Sequence, residues 1–203
     1  MGKKIPILLG IAVVAPVVIA GFVALRPRPG AERPPAPPAV TAPTAKLRLA
    51  PDIAIVMYQG QDIVGGSEIA LSSLWETKRQ PVVLNFWAGL CPPCRAEMPD
   101  FQILYDTHAR GKGKWTLIGV DIGPFIGLGS REDAKALLRE LKVSFPAGTT
   151  FDARTVRNYE IFGMPTTVFI TADGRILRKH AGLLTVDQMK EFTNELIRVS
   201  GKR

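Results

Sequence analysis

Cys91 and Cys94, the only two cysteines in 203 residues, stand two prolines apart directly behind the run Val82-Val83-Leu84-Asn85-Phe86-Trp87. That run shows no apolar–polar alternation, which is the pattern of a central strand covered on both faces. Behind the cysteines, Met98, Phe101, Leu104, Tyr105 and His108 recur at three- and four-residue steps and predict a helix with one buried stripe. Pro99 is expected to bend that helix or to remove one of its internal bonds. A strand that passes through a cysteine pair into a helix restricts the chain to folds in which strands and helices share a layered core.

The following segments fit that restriction. Trp115 to Asp121 reads as a second core strand, and Ser130 with Asp133 as the start of a helix buried through Ala134, Leu137, Leu138 and Leu141. Thr166 to Ile170, the turn Ala172-Asp173-Gly174 and Arg175 to His180 form an expected hairpin. Thr185 and Gln188 match a capping box for a terminal helix lined by Val186, Met189, Phe192 and Leu196. Upstream, Ile53 to Tyr58 is a short apolar stretch and Glu68 to Trp75 looks like edge-strand and turn material. The pattern predicts a three-layer α/β/α domain with a central mixed sheet over residues 46–203.

The amino-terminal quarter has a different character. Residues 1–4 form a short basic start, read as a cytoplasmic N-terminus. From Ile5 to Leu25 there are 21 residues without a charge, long enough to span a bilayer core of roughly 30 Å. A transmembrane anchor over 5–25 is expected, with a cleaved signal peptide as the alternative because Lys3 and Lys4 precede it and Val18-Ile19-Ala20 resembles a cleavage site. Residues 26–45 contain seven prolines and read as an extended linker. A cytoplasmic membrane protein with its N-terminus inside and its folded domain on the extracytoplasmic side follows, the lipid bilayer being one of its partners. The net charge of +8 is concentrated here: five basic residues against Glu32 in the first 45 leave a mild excess over the remainder. No Lys/Arg cluster interleaved with aromatics is present, which speaks against nucleic-acid binding.

A cysteine at a helix N-terminus meets unpaired backbone N–H groups and the positive end of the dipole, so its thiolate is favoured. Cys91, the more N-terminal and expected to be the more exposed, is the candidate nucleophile; Cys94, one turn on, is the candidate resolving thiol. Pro92 and Pro93 bring no N–H, pre-shape the first turn and remove donors to the thiolate, which predicts an electron donor rather than a strong oxidant. Disulfide exchange needs no cofactor. Zinc would require His108 and His180 to converge on the cysteines, so no metal site is expected, although two thiolates alone can hold Cu(I).

The strings Val82 to Ala88 and Cys91-Pro92-Pro93-Cys94-Arg95-Ala96-Glu97-Met98-Pro99 resemble the active-site segment of the thioredoxin superfamily, and more narrowly the membrane-anchored ResA/TlpA-type thiol:disulfide oxidoreductases. Gly163-Met164-Pro165-Thr166-Thr167-Val168-Phe169-Ile170 with Asp173-Gly174 is similar to that family's second signature. The resemblance implies a thioredoxin-like fold and a redox-active disulfide between Cys91 and Cys94. It implies a cis Pro165 facing the pair, with Met164 pairing to an incoming peptide, and client contact by Trp87, Pro92 and Pro93. It also carries over Glu97 as a proton-transfer or pKa-tuning group, which on composition alone is equally a solvated first-turn carboxylate. Leu90 departs from the tryptophan usual before the first cysteine. Asn85 replaces the buried acid of ordinary thioredoxins and is expected as a hydrogen-bonded core residue.

The function so implied is protein disulfide reductase, a thiol:disulfide oxidoreductase acting on cysteine-containing client proteins, with apocytochrome c in cytochrome c-type biogenesis as the favoured client. A membrane thiol donor of the cytochrome maturation type would return the electrons. The alternatives are a copper-binding chaperone, a reductant for oxidase copper-site assembly, and a non-catalytic tethered subunit of a membrane complex.

Overall fold

The computed structural model describes residues 47–110 and 114–201. The expected cytoplasmic start, anchor and proline-rich linker lie outside them. Among the described residues no helix is long and apolar enough to cross a membrane.

Seven strands form one mixed sheet: β1 (Ala54–Gln59), β2 (Glu68–Ala70), β3 (Val82–Trp87), β4 (Thr116–Asp121), β5 (Ala147–Thr149), β6 (Thr166–Ile170) and β7 (Ile176–Ala181), in the order β2-β1-β5-β4-β3-β6-β7. β3 pairs parallel with β4 and antiparallel with β6, and β4 pairs parallel with β5. The β1–β2 hairpin joins the sheet antiparallel to β5. Every residue of β3, β4 and β6 is buried, as the unbroken apolar runs demand of strands covered on both sides.

The period of two along each strand divides the core. Val83 and Trp87 of β3, Leu117 of β4 and Phe169 of β6 pack under α3 (Pro92–Leu104), α5 (Arg131–Glu140) and α7 (Val186–Ser200). Val82, Leu84, Phe86, Ile118, Val120, Val168 and Ile170 face the other way, toward α2 (Ser73–Glu76) and the segment that follows α6 (Arg154–Asn158). The remaining short helices are α1 (Gln61–Val64) and α4 (Gly123–Ile126). These layers make the three-layer α/β/α thioredoxin-like fold.

Local signals explain the helix starts. Ser130 Oγ accepts from Asp133 N at 3.1 Å while Asp133 Oδ2 accepts from Ser130 N at 2.8 Å. Thr185 and Gln188 make the same reciprocal pair ahead of α7, at 3.2 and 3.0 Å, each such cap being worth about 1 kcal/mol. At the β6–β7 turn, Gly174 has φ +78°, and a Cβ there would stand 2.5 Å from the Trp75 indole nitrogen, so no larger residue fits.

As expected, Pro99 removes one internal bond of α3, and the helix runs on through it: Pro99 is exposed, so the carbonyl it leaves unbonded is on the solvent side. Two expectations are corrected. The stripe does not continue as an α-helix: Tyr105–Ala109 is a π-helical turn in which Tyr105 and Ala109 are buried and His108 is exposed. Leu141 is the half-buried C-cap of α5 rather than part of its buried face.

Candidate redox site

β3 delivers the chain to the carboxyl end of the sheet, and the loop Ala88-Gly89-Leu90 carries it into α3. That loop is clamped against the start of α5. A Cβ on Gly89 would lie 2.5 Å from Ala134 N, and Leu90 N donates to Leu128 O at 2.9 Å. Cys91 follows as the N-cap of α3, with extended backbone (φ −96°, ψ 107°) and Pro92 and Pro93 in the first two helical positions. Both prolines lack a donor, so the first N–H able to reach the cap sulfur belongs to Cys94, which donates to Cys91 Sγ at 3.2 Å.

Cys91 and Cys94 are joined as a disulfide. The expected difference in exposure is small: Cys91 is 2% exposed and Cys94 is fully buried. Pro92 is exposed and Pro93 half-buried. Trp87, carried over as a client contact, is fully buried and is corrected to a core residue. Its indole lies over Gly119 of β4, where a Cβ would come within 2.8 Å of Nε1.

The β3–β6 register sets Phe86 opposite Thr166, so the preceding Met164–Pro165 segment lies beside the end of β3 where the redox loop begins. The Met164–Pro165 peptide bond is cis. Pro165 is buried and Met164 half-buried.

Behind the disulfide is a polar cluster inside the apolar layer. Glu97 is 1% exposed, so it is not a solvated carboxylate. Asn85 Nδ2 donates to Glu97 Oε1 at 2.8 Å and to Thr167 Oγ1 at 3.1 Å, and Leu184 N approaches Glu97 Oε2 at 3.4 Å. Burial raises the Glu97 pKa to about 7, opposed by the bonds from Asn85 and Leu184 and reinforced by the nearby charge of Asp100. The expected core role of Asn85 is met, and its partner is the carboxyl carried on the cysteine helix. Glu97 stands three residues beyond Cys94, which places the two on one side of α3. A disulfide at a helix N-terminus with a protonatable carboxyl buried one turn on is an arrangement suited to thiol exchange.

Thr167, Leu184, Leu183 and Phe162 were not singled out from the sequence. Thr167 is set by strand register, being opposite Asn85. Leu183 and Phe162 are large apolar residues left 51% and 92% exposed, and no local pattern marks them. His108 and His180 do not join the cysteines: among the described residues no group of three or more His, Cys, Asp and Glu is placed to hold a metal ion.

The AhpC/TSA family model matches residues 47–179. The thiol-disulfide oxidoreductase ResA of Oceanobacillus iheyensis is 34% identical over 147 residues, which cover 72% of this chain and 70% of that protein. The sporulation thiol-disulfide oxidoreductase A of Bacillus subtilis is 28% identical over 135 residues, 65% of this chain and 75% of its own length. Among solved structures, StoA from Bacillus subtilis matches with a TM-score of 0.56 at 24% identity, covering 71% of this chain and 98% of that one. A thiol:disulfide interchange protein from Chlorobium tepidum matches with a TM-score of 0.59 at 22% identity, covering 75% and 98%. Likeness at that identity establishes a shared fold.

Proposed function

The chain belongs to the AhpC/TSA family and is a thiol:disulfide oxidoreductase of the ResA type, and from that premise we propose that it reduces protein disulfides outside the cytoplasmic membrane, with apocytochrome c as the favoured client. The observation that carries the direction of electron flow is the donor-poor cap on Cys91. With prolines at both following positions, a Cys91 thiolate receives the Cys94 N–H and little else from the first turn. A weakly stabilised thiolate makes the dithiol form a better reductant.

In the proposed cycle the Cys91 thiolate attacks one sulfur of a client disulfide and expels the other as a client thiolate. Cys94 then loses its proton and attacks Cys91 Sγ, releasing the second client thiolate and leaving the Cys91–Cys94 disulfide. Two electrons pass to the client, and a membrane thiol donor returns them to the pair. Glu97, with its pKa near 7, takes the Cys94 proton and gives it up again on re-reduction. The apolar run of residues 5–25 and the seven prolines of 26–45 support a tethered domain in this role.

Equilibration of the purified protein with a graded dithiol buffer tests the direction. The expected midpoint is below about −200 mV, and a value near about −120 mV would assign the protein to the dedicated oxidants. The client follows from trapping with Cys94→Ser, which halts the cycle at the mixed disulfide: c-type apocytochromes support the reading, and copper-site proteins replace it.

A further inference from the structure

The short connection from β7 to α7 is fixed at both ends. Gly182 has φ +98°, which glycine adopts without strain, and its N–H donates to Pro165 O at 2.8 Å. At the other end Thr185 is the N-cap of α7. Between them stand Leu183, which is exposed, and Leu184, which is buried. The peptide group that joins these two leucines is bonded on both sides. Its carbonyl, Leu183 O, accepts from His180 Nε2 at 3.2 Å, and its N–H, that of Leu184, approaches Glu97 Oε2 at 3.4 Å.

Imidazole, carbonyl, N–H and carboxyl thus stand in series. A peptide group is planar, so a donor that fixes its carbonyl also fixes the direction of its N–H. Bonds in series polarise one another, so the same donor strengthens the N–H toward the carboxyl. The sheet keeps the half-buried His180 in place: it is opposite Thr167 in the β6–β7 register, and Thr167 shares the Asn85 amide with Glu97. Its ring centre lies 6.3 Å from that of Phe192 in α7.

Charge near the series is sparse. Asp100 acts on Glu97 from α3 itself, whereas β3 and β6 bring the uncharged Asn85 and Thr167 to the cluster. α7 packs against α3, and its buried residues, Met189, Phe192, Thr193 and Leu196, carry no charge. On the His180 side, the Arg178 guanidinium lies 4.2 Å from the centre of the Phe192 ring and is paired with Glu195 at 2.9 Å.

We propose that His180 is a positioning residue for Glu97: by holding the Leu183 carbonyl it aims the Leu184 N–H at the carboxyl and favours the ionised form of that group. The inference rests on the reading that Glu97 takes the Cys94 proton, and it adds a residue outside the cysteine helix that sets the pH at which Glu97 can do so.

Two measurements on the full chain test it. The ionisation of Glu97 is read from its carboxyl ¹³C shift in the oxidised protein, assigned by comparison with Glu97→Gln. The rate at which a Cys91 mixed disulfide is resolved is followed separately from pH 5 to 9. His180→Phe and His180→Leu both remove the donor, the first keeping a ring beside Phe192, and His180→Gln keeps an N–H without an imidazole. Loss of a donor to the carboxylate raises its pKa. The Glu97 midpoint should therefore rise by about 0.5–1 pH unit in His180→Phe and His180→Leu. It should stay close to wild type in His180→Gln, with the rate inflection following in each case. A midpoint that does not move when the donor is removed overturns the proposal. An equal shift in all three variants also overturns it, because Glu97 would then be sensing the charge of the ring and not its hydrogen bond. A midpoint that moves as expected while the rate profile stays in place upholds the positioning by His180 and removes Glu97 from proton transfer.

Discussion

Glu97 and Asp121 are two carboxyls buried within the same domain, 1% and 0% exposed, and they are set up for different work. Asp121 closes β4, where its Oδ1 accepts from Gly123 N at 2.9 Å and its Oδ2 from the Tyr58 hydroxyl at 3.0 Å. Those bonds tie β1 and the start of α4 to the end of β4, so the group acts as a joint. Glu97 is on the helix that carries both cysteines, and it has one good donor, the Asn85 amide, beside a long approach from Leu184 N. Burial raises the pKa of both, above the bonds that oppose it. Burial alone therefore does not mark a proton-handling residue; its place on the helix that carries the cysteines and its sparse donors are what support that proposed role for Glu97.

The largest effect is expected at Cys91, the proposed nucleophile. Cys91→Ser should lower peptide disulfide exchange by on the order of 10⁴-fold or more, after which neither carboxyl has a rate to influence. Residual exchange within tenfold of wild type in a stopped-flow assay would show that Cys94 can attack by itself.

The next largest effect is on stability. The Glu97 carboxyl titrates near 7 in the folded protein, against 4.5 ordinarily. Between those values the folded state binds a proton that the unfolded state has released, so stability is full below about pH 4.5 and falls as pH rises through 7. At about 1.4 kcal/mol per pKa unit, the loss is on the order of 3 kcal/mol. Urea unfolding of the oxidised protein at pH 5 and pH 8 reads it, and Glu97→Gln should remove most of the difference. Asp121, also raised by burial, contributes in the same sense, its stabilisation being lost as pH rises through its own folded-state pKa.

Asp121→Asn supplies the smallest effect and the opposite signature. An amide still accepts one of the two bonds but turns a donor toward the other, costing about 1–2 kcal/mol. Its exchange rate should keep the wild-type pH dependence, and a shifted profile would show that the two carboxyls act together.

Much of the scaffold was legible because its signals are local. The β6 run Thr166–Ile170 has its predicted bounds, and the Ser130/Asp133 and Thr185/Gln188 caps are contained within four residues each. The π-helical turn at Tyr105 was not legible, because a three- and four-residue stripe looks the same until the added residue per turn shifts it. Nor was the environment of Glu97: its partners Asn85 and Leu184 lie 12 and 87 positions away. From the sequence alone Glu97 is only a carboxylate in an early turn of a helix. The burial of Trp87 follows from the unbroken run of β3, but its packing does not, since Gly119, which makes room for its ring, comes from the neighbouring strand.

Glu97 is proposed to move the proton that Cys94 must lose. The most direct measurement is the rate at which a preformed Cys91 mixed disulfide is resolved, followed from pH 5 to 9 in wild type and Glu97→Gln. The wild-type rate is expected to rise through an inflection near pH 7, and the Glu97→Gln rate to be about 10²-fold lower at neutral pH with that inflection gone. Superimposable profiles for the two proteins would contradict it and return Glu97 to the role that Asp121 has, a buried carboxyl that holds the fold together.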